Sequence, residues 1–362
     1  MTTPWVSHDD ENYTYDYTYY PGNEPCKKDN VKEFGSTFIP ALYSIVFITG
    51  LIGNLLVIRI LWPLICKATH TMTDIYLFNL AFSDLLFVIT LPFWAYTAAY
   101  QWIFGEVLCK LISWTYVIGF YSSIFFITAM SVERYLAIVH AIKAKKIQRL
   151  QSGITLSCII WAAAFIISVP EAHFNKVEIE NIHKTCRPSM DSETLKQWKL
   201  AHNFEINILG LLIPLIIMIF CYSRIIKTLL RKMTFCPQVW KRRRAIRLIF
   251  IVMIVFLIFW IPYNISLLLR SLEILEVYVS CSFSKGIDIS LQLTETIAFV
   301  HCCLNPFIYV FVGIKFKNYL YELIKNCLPS FMICDICHSS RRDSVTSSQT
   351  MSSYDHSAFI AL

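Results

Sequence analysis

The sequence predicts an all-α fold: a seven-transmembrane-helix bundle followed by a short amphipathic juxtamembrane helix. Three observations carry that reading. Seven apolar runs, 38–62, 74–97, 108–139, 153–170, 204–230, 246–269 and 286–311, are each on the order of the roughly 20 residues that cross a bilayer. Of the 362 residues 56% are hydrophobic and only 16% are charged, too few charges for a soluble chain of this length. The basic residues are sorted into alternate loops, as membrane topology requires. In lipid such a run satisfies its own N–H and C=O groups only as a helix.

The chain divides into an extracellular acidic, tyrosine-rich tail (1–37), a transmembrane domain (38–313), an inner-face helix (314–326) and a Ser/Thr-rich cytoplasmic tail (327–362). The tail carries Asp9, Asp10, Glu11, Asp16 and Glu24 among Tyr13, Tyr15, Tyr17, Tyr19 and Tyr20. It lacks the basic and apolar regions of a cleavable signal, so the first span is expected to direct insertion. Asn12-Tyr13-Thr14 is a glycosylation acceptor there, whereas the sequon at Asn264 falls inside a span and should be silent. Lys143, Lys145, Lys146 and Arg149 follow the third span, Arg231, Lys232 and 241–244 the fifth, and Lys315, Lys317 and Lys325 the seventh. That excess marks the cytoplasmic side, and the N-terminus is outside. The net charge of +7 is therefore no signal for nucleic acid.

Each polar residue inside a span needs an explanation. In the first span Arg59 stands in the inner half, where an apolar residue is expected, and is read as snorkelling to the headgroups. In the second, Asp84 suits a cation, with Asn54, Ser123 and Asn305 as further oxygen donors; hydrogen bonds to the same groups would satisfy it equally. In the third, Glu133-Arg134-Tyr135 ends the helix inside, an ion pair that helix movement can release. Prolines lie within spans at Pro92, Pro170, Pro214, Pro262 and Pro306, each removing a helical hydrogen bond. Trp260 sits beside Pro262 as a lever. In the seventh span Glu295 has no Lys or Arg within a turn and must face the bundle; with Tyr43, Trp94, Tyr116 and Tyr263 at similar depth it outlines an aromatic-walled anionic pocket for a cationic group.

Four of thirteen cysteines lie outside, Cys26, Cys109, Cys186 and Cys281, and arithmetic allows three pairings. Cys109 with Cys186 would staple the loop after the fourth span over the bundle, leaving Cys26 for Cys281. Cys327, Cys334 and Cys337 are juxtamembrane thiols open to palmitoylation. Phe316, Tyr319, Leu320 and Leu323 make the stretch that should lie on inner-leaflet lipid. No internal repeat supports a transporter, and no nucleophile–base pair or metal cluster in the spans supports an enzyme.

Taken in order, Gly53-Asn54, Leu80-Ala81-Phe82-Ser83-Asp84, Glu133-Arg134-Tyr135, Trp161, Pro214 with Tyr222, Phe259-Trp260-Ile261-Pro262 and Asn305-Pro306-Phe307-Ile308-Tyr309 resemble a rhodopsin-like (class A) G-protein-coupled receptor, one motif set per span. Thr90-Leu91-Pro92, Trp102-Ile103-Phe104-Gly105 and the four outside cysteines resemble a chemokine receptor. Ala137 to Ala141, Glu205 to Gly210 and Thr294 to Pro306 resemble the CC subfamily, nearest to its type 4 and type 8 members. The resemblance implies a basic CC chemokine as ligand, docked on sulfated tyrosines such as Tyr15 and Tyr17 around Asp16, with its amine at Glu295. It implies a switch of Glu133, Arg134, Tyr135, Tyr222, Trp260, Pro262, Asn305, Pro306 and Tyr309 that admits an inhibitory-type G protein, raises calcium and drives chemotaxis. Receptor kinases and arrestin would act on 339–353, and a sodium ion near Asp84 would be allosteric. Glu133 departs from the more usual Asp, and Arg242-Arg243-Arg244 make the third inside loop unusually basic. A chemokine-scavenging decoy or a virus-encoded homologue is the competing reading; the intact Arg134-Tyr135 argues against the decoy.

Overall fold

The computed structural model describes residues 29–66, 71–140, 150–180, 183–232, 239–277, 280–312 and 320–321. Among them seven helical segments are long and apolar enough to cross a membrane. The first span is α1 (Asp29–Cys66). The second is broken into α2 (Met72–Val88) and α3 (Leu91–Ala99). The third and fourth are α4 (Gly105–Val139) and α5 (Leu150–Phe174). A hairpin, β1 (Asn175–Glu180) and β2 (His183–Pro188), follows outside. The fifth span runs from α6 (Ser192–Glu205) through a π-helical stretch (Ile206–Leu212) into α7 (Ile213–Lys232). The sixth is α8 (Val239–Ile274), and the seventh is α9 (Cys281–Phe299) with α10 (His301–Val312).

Several helices overrun their apolar runs. α1 starts at Asp29, well before residue 38, and α6 starts at Ser192, capped by Asp191, which accepts a hydrogen bond from the Thr194 N–H at 3.0 Å. α6 is polar because its first turns stand clear of lipid. Of 314–326 only 320–321 are described, so the amphipathic helix lies outside the described residues, as do Asn12, Tyr15, Asp16, Tyr17 and Cys26.

The prolines act differently from one another. Pro92 opens α3 after a broken turn in which the Thr90 hydroxyl donates to the Phe87 carbonyl at 2.7 Å. Pro214 follows the π-helical stretch, whose wider turn accommodates the missing N–H. Pro170, Pro262 and Pro306 lie inside continuous helices. Pro306 denies the Cys302 carbonyl its helical donor; Asn54 Nδ2 supplies one from α1 at 3.0 Å. Gly53 makes this approach possible, since a Cβ there would lie 2.9 Å from Pro306 Cγ.

Outside, β1 and β2 pair antiparallel with Val177 opposite Cys186. A disulfide joins Cys186 to Cys109 at the head of α4. The Trp102 N–H donates to the Lys184 carbonyl at 2.8 Å, and its fully buried ring fixes the first outside loop beneath the hairpin. Ser189 and Arg187 hydrogen-bond Glu178 and hold its carboxyl below the ordinary range. Cys281 is disulfide-bonded as well.

The core sits between α2, α4 and the seventh span. Gly119 is its tightest point: a Cβ there would lie 2.7 Å from the Phe87 backbone N and 2.9 Å from the Ser83 carbonyl. Backbone cannot yield as a side-chain tip can. Gly119→Ala should therefore push α4 from α2 and destabilise the protein by about 1–3 kcal/mol, read as a lower melting temperature after purification; an unchanged melting temperature would refute the close approach.

Candidate functional site

The outer half of the bundle is lined by rings. Tyr116 on α4 donates to Glu295 Oε1 on α9 at 3.3 Å. The Glu295 charge acts on three phenols, Tyr116, Tyr43 of α1 and Tyr263 of α8. Tyr43 packs on Phe299 with ring centroids 5.4 Å apart, Phe299 on Phe87 at 4.8 Å, and Phe87 on Tyr116 at 5.0 Å. Trp94 closes the wall 6.4 Å from Tyr116, with its buried Nε1 donor unpartnered. Tyr43, Tyr116 and Tyr263 thus gather around Glu295 and Trp94 packs on Tyr116, while Phe87 and Phe299, which complete the wall, were not singled out. Lone phenylalanines in an apolar run carry no signal of their own.

A second acidic spot lies at the fourth and fifth spans. Tyr121 donates to Glu205 Oε1 at 2.9 Å, and His202 Nδ1 lies 3.5 Å from Glu171 Oε1. Glu205 interrupts the apolar run 204–230, and that was its available signal. The outer ends of the last three spans are also tied. Lys196 reaches Glu276 at 2.8 Å, Asn203 donates to Ser271 at 3.2 Å, and Arg270 of α8 pairs with Asp288 of α9. Lys196 holds the Glu276 carboxyl below its ordinary range, and Glu276 takes a left-handed backbone (φ 60°) to end α8.

Trp260 lies next to Tyr263 on α8. It is 1% exposed and packs, tilted or edge-on, against Phe120 at 4.9 Å, His301 at 5.0 Å and Tyr263 at 6.1 Å. Two residues further along α8, Pro262 breaks the hydrogen-bond ladder. Below lies Asp84, buried, its Oδ1 accepting from Ser123 Oγ at 2.9 Å and its Oδ2 from Asn305 Nδ2 at 2.8 Å. Asn54 is not part of this set: its Nδ2 serves the Gly50 and Cys302 carbonyls. Its buried Oδ1, however, has no partner. The Asp84 carboxylate and the Ser123 hydroxyl are oxygen donors of the kind a hard cation takes, so these two residues fit sodium. Asn305 offers an N–H here and so orients the carboxylate.

At the inner end Thr73 of α2 bridges Glu133 and Arg134. Its hydroxyl donates to the Glu133 carboxylate (2.9 Å to Oε2) and accepts from Arg134 Nη2 at 2.6 Å. Arg134 Nε and Glu133 Oε2 stand 3.6 Å apart, so one hydroxyl completes what the ion pair leaves open. Tyr135 points away to His140 Nε2 at 3.1 Å, and Tyr222 lies 3.5 Å from Ser131 Oγ. Tyr309 is in α10, and its side chain lies outside the described residues. Thr73 was not singled out, because it is the second residue of α2 and precedes the apolar run 74–97.

Two comparisons bear on this arrangement. Residues 53–309 match the family model for the 7 transmembrane receptor (rhodopsin family). Over 359 residues, 98% of this chain and 97% of the relative, the sequence is 46% identical to the C-C chemokine receptor type 4 of Homo sapiens. With seven spans, the stapled outer hairpin, the acid among phenols and the Thr73-bridged Glu133 and Arg134 in place, the chain belongs to the rhodopsin family of seven-transmembrane receptors, as a C-C chemokine receptor of the plasma membrane.

Proposed function

We propose that the protein binds a basic CC chemokine outside and activates an inhibitory-type heterotrimeric G protein inside, raising calcium and driving chemotaxis. The observation that carries this reading is Glu295, a carboxylate among Tyr43, Tyr116 and Tyr263 with Tyr116 as its hydrogen-bond donor. A carboxylate so placed attracts a cation that brings its own N–H donors, such as a peptide's N-terminal ammonium. The acidic tail draws in a basic protein body, and sulfate on Tyr15 or Tyr17 beside Asp16 would strengthen that field.

Entry of the amine pulls Tyr116 from Glu295 and presses on Phe299 and Trp260. α8 then pivots at Pro262, and Arg134 leaves Thr73 and Glu133 to meet the G protein with Tyr222 and Tyr309. A sodium ion held by Asp84 and Ser123 would favour the resting arrangement. Receptor kinases and arrestin follow on the Ser/Thr-rich tail.

Three measurements check this. Glu295→Gln should lower chemokine potency in a nucleotide-exchange assay by about tenfold or more, with a smaller loss in docking of labelled ligand; unchanged potency rules out the pocket. Arg134→Ala should abolish exchange while surface expression persists, and retained coupling would remove Arg134 from the switch. Thr73→Ala deletes two hydrogen bonds of the resting state, about 1–3 kcal/mol in all, and should raise ligand-free exchange several-fold; an unaltered basal rate would show that Thr73 does not restrain Arg134. Chemokine uptake without exchange by the wild type would favour the scavenging receptor instead.

A further inference from the structure

We infer that Arg59, Trp62 and the backbone opened by Pro63 form a site on the lipid face of α1 for the phosphate of an anionic phospholipid in the inner leaflet. The exposed residues of α1, Ile45, Ile48, Ile52, Leu55, Arg59, Trp62 and Cys66, recur every three or four positions and so share one face. Val57, Ile60 and Leu61 between them are at most 4% exposed, packed on the bundle. Arg59 thus lies in line with residues that meet hydrocarbon. It makes no hydrogen bond or ion pair among the described residues. A guanidinium on that face is costly unless something brings it an anion.

Its surroundings suit one anion in particular. Trp62, 56% exposed and braced against Phe78 of α2 at 6.1 Å, marks the headgroup level, where tryptophan concentrates. Arg59 is three residues deeper, about 4.5 Å along the helix. Side-chain bonds in a helix lean toward its N-terminus, here toward the bilayer centre. The guanidinium therefore does not swing freely into bulk water, and a lipid phosphate is drawn to it instead. The planar fork matches two phosphate oxygens, and the Trp62 Nε1–H adds a donor. Pro63 has no N–H, so the Arg59 carbonyl lacks its helical donor and offers an acceptor at the same place. The site thus pairs donors for phosphate with an acceptor for a headgroup ammonium or hydroxyl. Phosphatidylserine has both; phosphatidylcholine, a zwitterion without an N–H or O–H in its headgroup, has neither net charge nor donor.

The full-length receptor in mixed phosphatidylserine–phosphatidylcholine micelles, examined by native mass spectrometry, tests this. The wild type should hold its first phosphatidylserine at least about fivefold more tightly than Arg59→Leu, the ratio corresponding to about 1 kcal/mol for one cation at an anionic surface. Basic inner loops contribute equally to both proteins. Arg59→Leu places an apolar residue on a lipid face; its melting temperature in phosphatidylcholine should equal that of the wild type, and Arg59→Gln should repeat the loss of the first lipid. Equal retention of phosphatidylserine by wild type and both variants would overturn the site. So would displacement of the lipid by millimolar inorganic phosphate, which would assign the anion to solution.

Discussion

The absence of water in the bilayer core is the constraint on which the rest of this structure depends. Every N–H and C=O there must find a partner inside the protein. Proline breaks that rule locally, and each break has a distinct consequence. The Cys302 carbonyl, released by Pro306, takes its bond from Asn54 of α1. The first and seventh spans are thereby joined by a repair that neither could make alone. Where Thr90 bonds the Phe87 carbonyl, the second span turns and aims Trp94 at Tyr116. Where Pro214 is preceded by a π-helical stretch, Glu205 is brought round to Tyr121. The functional geometry is in large part the by-product of satisfying interrupted backbone.

The same lack of water sets the strength of the charged groups. Glu295, Asp84 and the Glu133–Arg134 pair occupy three depths, and each is held by hydroxyl or amide hydrogen bonds. No pair among them is a direct carboxylate–cation contact of close geometry. Neutral donors stabilise a carboxylate less than a cation does. On the proposed reading, an incoming cation at Glu295 or a partner at Arg134 would therefore compete against modest restraints. A receptor built on three tight salt bridges would be harder to switch.

Much of this was legible in the sequence, and the reasons for the rest are physical. Seven spans follow from length and apolarity, and orientation from where lysine and arginine collect. Glu295, Asp84 and Arg134 stand out because charge in lipid demands a partner. Helix ends were less legible: the polar turns of α6 leave the bilayer and lose the apolar signal, and α1 likewise begins at Asp29. The hairpin gave no signal because its six-residue strands carry mixed polar residues. Thr73 and Asn54 acquire their roles only from helices they approach in space. Asn54 in particular suits an ion by its chemistry, yet its amide is used on backbone, and only its oxygen is left over.

The link between the two ends runs through rings rather than charges. Glu295 touches Tyr116, Tyr116 lies 5.8 Å from Phe299, and Trp260 packs on Tyr263 and on His301. His301 and Asn305 lie on α10, and Asn305 holds Asp84. Close-packed rings cannot deform continuously; they change by discrete repacking. Proximity alone does not make such a chain a conduit. On the proposed reading, its physical content would come from Pro262 and the break at Val300 as hinges of α8 and the seventh span, with Thr73 holding Arg134 in the resting arrangement. On that reading, a ligand that repacks the rings and a protein that captures Arg134 would bias the same pair of states from opposite faces of the membrane, and by linkage each would strengthen the binding of the other.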